Sequence, residues 1–334
     1  MKQSSPLKAA SFVVALVALS VILFFNVDYV RQNVEIFLLK ATGRMWTLRG
    51  GLKTHTFYSE SLRQNRRVFV YTPPGYNPAN TTRMYPTLYL LHGYPDFGDM
   101  GWIKYGRAPQ EIDELIVQKK IPPIIVVFPN AQGIGEFGDS EYINATNPVT
   151  ASRPGSQMLD FISEDLPHWV DAKYVTDGEP RHRWIGGVST GAYGAVNIAL
   201  QHPLQFGAAI SLSGYYSADP SGYARPVWGY HPTAGQLLQQ SPAKYVNLQP
   251  DPQWRKSYFY IGYGTRERDV YRNEADELVA SLTKYGVPCT LRAHPGKHSW
   301  DQWRRELVDA VQVLADHTLP PADSVVTASN DPKH

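Results

Sequence analysis

Apolar residues fall along this chain in short dense runs. Thr87-Leu88-Tyr89-Leu90-Leu91, Ile124-Ile125-Val126-Val127-Phe128, Ala208-Ala209-Ile210-Ser211-Leu212 and Tyr258-Phe259-Tyr260-Ile261-Gly262 have strand length and no polar alternation, as expected for strands buried on both faces of a sheet. A short apolar strand from Arg183 to Val188 precedes Ser189, and Cys289 to Ala293 reads as a further strand. Thr54 to Ser59 and Arg67 to Thr72 qualify by their β-branched and aromatic content. Between the runs, apolar residues recur at helical spacing over Ile112 to Gln118, Met158 to Val170, Asn273 to Tyr285 and Trp303 to His317. Pro73-Pro74-Gly75-Tyr76-Asn77-Pro78 marks a turn, Gly133 to Pro154 a long polar loop, and Ser213 to Pro252 an irregular stretch rich in Tyr, Pro and Gly. Strands alternating with helices predict an α/β fold, a mostly parallel sheet with helices on both faces. No repeat and no second folded domain is evident.

The ends of the chain follow a different pattern. Residues 1–8 carry Lys2 and Lys8, and residues 9–27 then run without a charge, long enough for a helix to span a bilayer. The run ends in Ile22-Leu23-Phe24-Phe25-Asn26-Val27-Asp28, without a small-x-small cleavage site, so an uncleaved transmembrane anchor is expected rather than a signal peptide. The lysines before it predict a cytoplasmic N-terminus and a body in the periplasm or outside the cell, although Arg31, Lys40 and Arg44 beyond the run weaken the asymmetry. Residues 28–51 read equally as a stalk or as a helix lying on the membrane surface. The folded domain is expected over 52–319, and 320–334 reads as a disordered tail.

Composition narrows the function classes. The 334 residues carry 32 Lys and Arg against 30 Asp and Glu, with no dense basic run, which leaves nucleic-acid binding without an electrostatic footprint. The single cysteine, Cys289, excludes an internal disulfide and a cysteine-based metal cluster. In its apolar surroundings it is expected to be a buried structural thiol.

The candidate chemistry gathers at three strand ends, where an open α/β sheet places its sites. Gly187-Val188-Ser189-Thr190-Gly191 sits between a strand and a helix with small residues on one side, the setting that holds a nucleophilic hydroxyl above a sheet edge. A neutral Ser needs a base, and His298 in Pro295-Gly296-Lys297-His298-Ser299-Trp300 follows the last strand. His92, His202, His294 and His317 read as structural or solvated. The turn Gly262-Tyr263-Gly264-Thr265-Arg266-Glu267-Arg268-Asp269 supplies a carboxylate to orient the imidazole. Glu267 and Asp269 both qualify by position, and at least one of them must be structural. The order Ser, acid, His is that of the α/β-hydrolases. The backbone N–H groups of Thr190 and of Tyr94, behind His92-Gly93, are the candidate oxyanion donors.

Together these segments resemble the esterase D, feruloyl esterase and antigen 85 family of α/β-hydrolases, which includes enterochelin esterases. The likeness runs from about Thr54 to His317 and rests on Tyr89-Leu90-Leu91-His92-Gly93, the Ser189 turn with Ala195, His202-Pro203 with Phe206-Gly207, Ser213-Gly214, Gly264-Thr265-Arg266-Glu267, and Gly296-Lys297-His298-Ser299-Trp300 with Trp303. In that family the acid lies three residues after the Gly ending its strand, which selects Glu267 over Asp269. The chain departs from the family's pattern at Thr190, often Met, and at Ala192, often Gly, without losing a backbone donor. The resemblance implies carboxylic ester hydrolysis through an acyl-enzyme, with no metal and no organic cofactor. Placement beside an anchor makes a lipid or cell-envelope ester, including an aminoacyl-phospholipid, the expected substrate. Acyl transfer of the antigen 85 type is the alternative activity, and a non-catalytic envelope-binding protein the alternative class.

Overall fold

The computed structural model describes residues 48–94, 98–133, 140–145, 157–219, 227 and 232–319. The expected anchor at 9–27, the segment following it to residue 47, the tail 320–334 and most of the Gly133 to Pro154 loop lie outside the described residues. Among the described residues no helix is long and apolar enough to cross a membrane.

Eight strands form one sheet, β1 (Gly51–Ser59), β2 (Gln64–Thr72), β3 (Thr87–Leu91), β4 (Ile125–Pro129), β5 (Arg183–Val188), β6 (Ala208–Leu212), β7 (Tyr258–Gly264) and β8 (Cys289–His294), in the order β1-β2-β4-β3-β5-β6-β7-β8. β1 and β2 pair antiparallel, β2 joins β4 antiparallel, and every later pairing is parallel. This is the α/β-hydrolase arrangement. Every residue of β3, β4, β5 and β6 is buried, because helices cover both faces and leave no solvated side to alternate toward. β1 lies at an edge and alternates.

The helices among the described residues are α1 (Met100–Lys104), α2 (Ala108–Val117), α3 (Met158–Asp160), α4 (Leu166–Lys173), α5 (Thr190–Gln201), α6 (Ala234–Gln239), α7 (Pro242–Leu248), α8 (Asp269–Lys284) and α9 (Trp300–Thr318). They enclose two cores. One gathers Tyr89, Phe161, Val196, Phe206 and Leu278 on one face of the sheet, the other Leu88, Trp102, Ile112, Trp184 and Leu307 on the opposite face. Between α3 and α4 the single helix expected over Met158 to Val170 widens into a π-turn, Phe161–Asp165. Pro167 follows at the start of α4, and a proline there lacks the N–H a continuous α-ladder requires.

Two further expectations are corrected. The stretch Ser213 to Pro252 contains α6 and α7, short helices whose polar exposed faces give little periodic signal. α6 is instead fixed by a capping box between Thr233 and Gln236. Cys289 is only half-buried, because β8 is the other edge of the sheet and is nowhere fully covered.

The entry to β1 is held by one carboxylate. Buried Asp113 of α2 accepts from the backbone N–H of Arg49 at 3.1 Å and of Gly50 at 2.8 Å, and from the Tyr71 hydroxyl at 2.9 Å. Asp113→Ala leaves these donors unpaired and should cost about 3 kcal/mol, since hydrogen bonds to a charged acceptor are among the stronger ones. Urea unfolding checks this. A midpoint unchanged from the parent would refute the assignment.

Candidate active site

The chain crosses from β3 to β4 on one side and returns to β5 on the other, and a crevice opens at the carboxyl ends of strands where their order reverses in this way. Ser189 stands there, between β5 and α5, with φ 54° and ψ −119°, a strained conformation for a residue with a side chain. The strain is imposed by close packing. A Cβ on Gly187 would lie 2.4 Å from the carbonyl of Gly191, and one on Gly191 would lie 2.6 Å from the carbonyl oxygens of Leu91 and His92. Only glycines let the start of α5 pass this closely beneath the end of β3. The same approach brings Gly93, which precedes Tyr94, against Ser189, and Thr190 opens α5.

His298 Nε2 lies 3.0 Å from Ser189 Oγ. The imidazole is held by two rings. Tyr271 of α8 stacks on it at 4.6 Å between centroids, and Trp303 of α9 meets it edge-on at 4.8 Å. Its Nδ1 faces Glu267 Oε2 at 3.8 Å, and these two buried atoms have no other hydrogen-bond partner among the described residues. The turns bearing the acid and the base are laced together by their backbones. Thr265 N–H donates to the His294 carbonyl and Arg266 N–H to the Gly296 carbonyl, both at 2.8 Å. The side chain of Asp269 is 77% exposed and pairs with Arg272. It begins α8 and does not face the imidazole.

The other oxygen of Glu267 is anchored from below. Oε1 accepts from Ser213 Oγ at 2.5 Å, and Ser213 Oγ in turn accepts from Trp303 Nε1 at 2.8 Å. Gln302 Nε2 lies 3.5 Å from the same oxygen and 3.3 Å from Glu306 Oε2. Glu306 is fully buried and lies so close to β7 that a side chain at Gly262 would overlap it. Burial, with smaller contributions from the charges of Glu267 and Asp309 and against the hydrogen bond from Gln302, pushes the Glu306 carboxyl up to about 8. Of these supports, Ser213 and Trp303 stood within sequence segments already singled out but without a role. Gln302, Glu306 and Tyr271 were missed, though the buried polar pair at i and i+4 on an otherwise apolar helix face is a signal in the sequence.

The remaining histidines take other places. Buried His92 accepts from the Ala131 N–H through Nε2 at 3.0 Å, which leaves Nδ1–H to donate to the Gly93 carbonyl at 3.0 Å. Burial lowers its pKa, and the neutral ring staples the loop after β3 to the end of β4. His202 caps α5, His294 ends β8, and His317 stacks on Tyr258. Of the tyrosines in the Ser213 to Pro252 stretch, Tyr215 reaches the neighbour of Ser189, its hydroxyl 3.4 Å from Thr190 Oγ1 and 2.5 Å from Glu141 Oε2. Tyr216 turns into the core onto Ser211, and Tyr245 packs inward onto Asn197.

The family model for putative esterases matches residues 59–314. The chain belongs to the putative esterase family. That family membership classes the matched domain among carboxylic ester hydrolases. Relatives include an uncharacterised protein of Corynebacterium glutamicum, 28% identical over 262 residues, covering 75% of this chain and 57% of that protein. An endo-1,4-beta-xylanase/feruloyl esterase of Xylanibacter ruminicola is 30% identical over 167 residues, covering 49% of this chain and 22% of its own length. The chain thus spans little more than half of the first relative and about a fifth of the second. Among solved structures, a ferulic acid esterase matches with TM-score 0.67 and 23% identity over 81% of this chain and 100% of that one. An S-formylglutathione hydrolase from Agrobacterium tumefaciens matches with TM-score 0.67 and 19% identity over 81% and 97%. At these identities the likeness is one of fold.

The buried Glu306 gives this chain a definite pH dependence of stability. Its folded pKa of about 8 exceeds the ordinary value of 4.5, so between these values the folded chain keeps a proton that the unfolded chain has released. Stability therefore falls as pH rises through that window. Glu306→Gln should remove the loss, gaining on the order of 4 kcal/mol relative to the parent between pH 5 and pH 8.5. Urea unfolding at the two pH values tests it, and parallel behaviour of the two proteins would contradict a buried neutral acid.

Proposed function

We propose that this esterase hydrolyses carboxylic esters through an acyl-enzyme on Ser189. The observation that carries the reading is the 3.0 Å contact between Ser189 Oγ and His298 Nε2, within reach for proton transfer. Ser189 Oγ attacks the ester carbonyl while His298 Nε2 takes its proton. The carbonyl oxygen becomes an oxyanion received by the N–H groups of Thr190 and Tyr94. As the imidazole becomes positively charged, its Nδ1–H is drawn to Glu267 Oε2, and a closure of about 1 Å completes a charge-assisted hydrogen bond. His298 returns the proton to the departing alkoxide, the alcohol leaves, and a water deprotonated by the same nitrogen releases the acid.

For placement, the 19 uncharged residues 9–27 behind two lysines support an uncleaved anchor, a cytoplasmic N-terminus and a catalytic domain in the periplasm or outside the cell. A substrate class follows from that placement, namely a lipid or envelope ester, with aminoacyl-phospholipid a candidate.

Ser189→Ala should lower kcat on a short chromogenic ester by on the order of 10⁶ with the fold retained. Residual turnover near the parent's would sink the mechanism. Glu267→Gln should cost about 10³ to 10⁴ and Asp269→Asn less than about twofold. The reverse pattern would move the acid to Asp269. The full-length chain, labelled by a fluorophosphonate at Ser189, should sediment with membranes after carbonate washing, and labelled protein in the soluble fraction would refute the anchor.

A further inference from the structure

A second concavity lies at the β1 edge of the sheet. It has a volume of about 670 Å³ and is lined by Arg49, Lys53, His55, Tyr76, Lys173 and Tyr174, with no Asp or Glu among the described residues of its wall. The strand register places it. Tyr71 of β2 pairs with Val126 near the start of β4, and Gly51 pairs with Thr72, so the cleft sits where the parallel strands begin. Ser189 sits where they end. The cleft is therefore no extension of the site described above.

Its charges are unbalanced. Arg49 reaches outward to Glu114 at 3.8 Å, both side chains more than half exposed, an arrangement that neutralises little. Neither Lys53 nor Lys173 has an ion pair or hydrogen-bond partner among the described residues. Both bear on His55, whose pKa is lowered by burial first and then by Lys173 and Lys53. Its Nε2 lies 2.6 Å from the Tyr174 hydroxyl. Two ammonium groups and a neutral imidazole thus converge on one space walled by Tyr76 and Tyr174. The size is that of a small-molecule site. The wall offers N–H donors and positive charge with a flat apolar flank, which suits the clustered oxygens of a phosphate bearing an organic group.

We propose that this cleft binds the phosphate of a phosphorylated ligand, a phospholipid headgroup or a soluble phosphate ester, at the edge where the chain enters the domain. A headgroup source rests on the anchor reading above, which would keep the protein at a bilayer surface. The cleft itself does not depend on that reading or on Ser189.

His55 reports occupancy. Full-length protein in non-ionic micelles, with its histidines isotopically labelled, is titrated by NMR in inorganic phosphate and in chloride of equal ionic strength. An anion between Lys53 and Lys173 should raise the His55 pKa by about one unit in phosphate alone. In the Lys53→Gln/Lys173→Gln double variant the resting pKa should already be higher and the phosphate response lost, with turnover of a short ester unchanged. In nanodiscs, a rise with phosphatidylglycerol beyond that with phosphatidylcholine assigns a lipid headgroup, and equal behaviour in both, with the phosphate response present, assigns a soluble ester. Identical titrations in phosphate and chloride, or a phosphate response surviving in the double variant, would overturn the proposal.

Discussion

The site depends on how closely two stretches of backbone approach each other at the end of β3. Gly187 and Gly191 allow the first turn of α5 to pass beneath the carbonyls of Leu91 and His92. This contact bends Ser189 into its positive-φ conformation and brings Gly93 against it. A side chain at either glycine would separate the strand from the helix. The nucleophile and the donors expected to face its substrate would then no longer share one crevice. His92 secures the other side of the approach as a neutral ring bonded at both nitrogens.

From that contact the architecture is built outward in layers of decreasing generality. The sheet supplies strand ends at fixed spacing, and the backbone bonds between 264–267 and 294–296 bind acid and base into one unit. α9 then locks that unit from behind with polar side chains in place of aliphatic ones, Trp303 on Ser213 and Gln302 between two carboxylates. Such a buried polar network is costly unless satisfied. Here part of the cost is avoided because Glu306 keeps its proton near neutrality.

How much of this the sequence discloses follows from the range of the interactions. β3, β4, β6 and β7 are legible because burial on both faces writes itself as uninterrupted apolar residues. Ser189, His298 and Glu267 are legible as candidates because each occupies a turn directly after a strand, so a local pattern also gives an approximate place in space. Ser213, Gln302 and Tyr271 acquire their roles only from partners far along the chain, as when Ser213 meets Glu267 and Trp303. α6 and α7 are short, α6 buries no residue, and Cys289 owes its partial exposure to its strand's place at the edge, which no local composition encodes.

The 3.8 Å separation between Glu267 and His298 bears on the resting population of the enzyme. A neutral imidazole carries its proton on one nitrogen or the other, and Ser189 can surrender its own only to molecules in which Nε2 is bare. An acid already bonded to Nδ1 would enforce that tautomer before substrate arrives. An acid standing about 1 Å short of contact constrains the ring less than one already bonded to it. In the proposed mechanism, a ligand that presses the imidazole toward Glu267 would help to select the tautomer from which Ser189 can react.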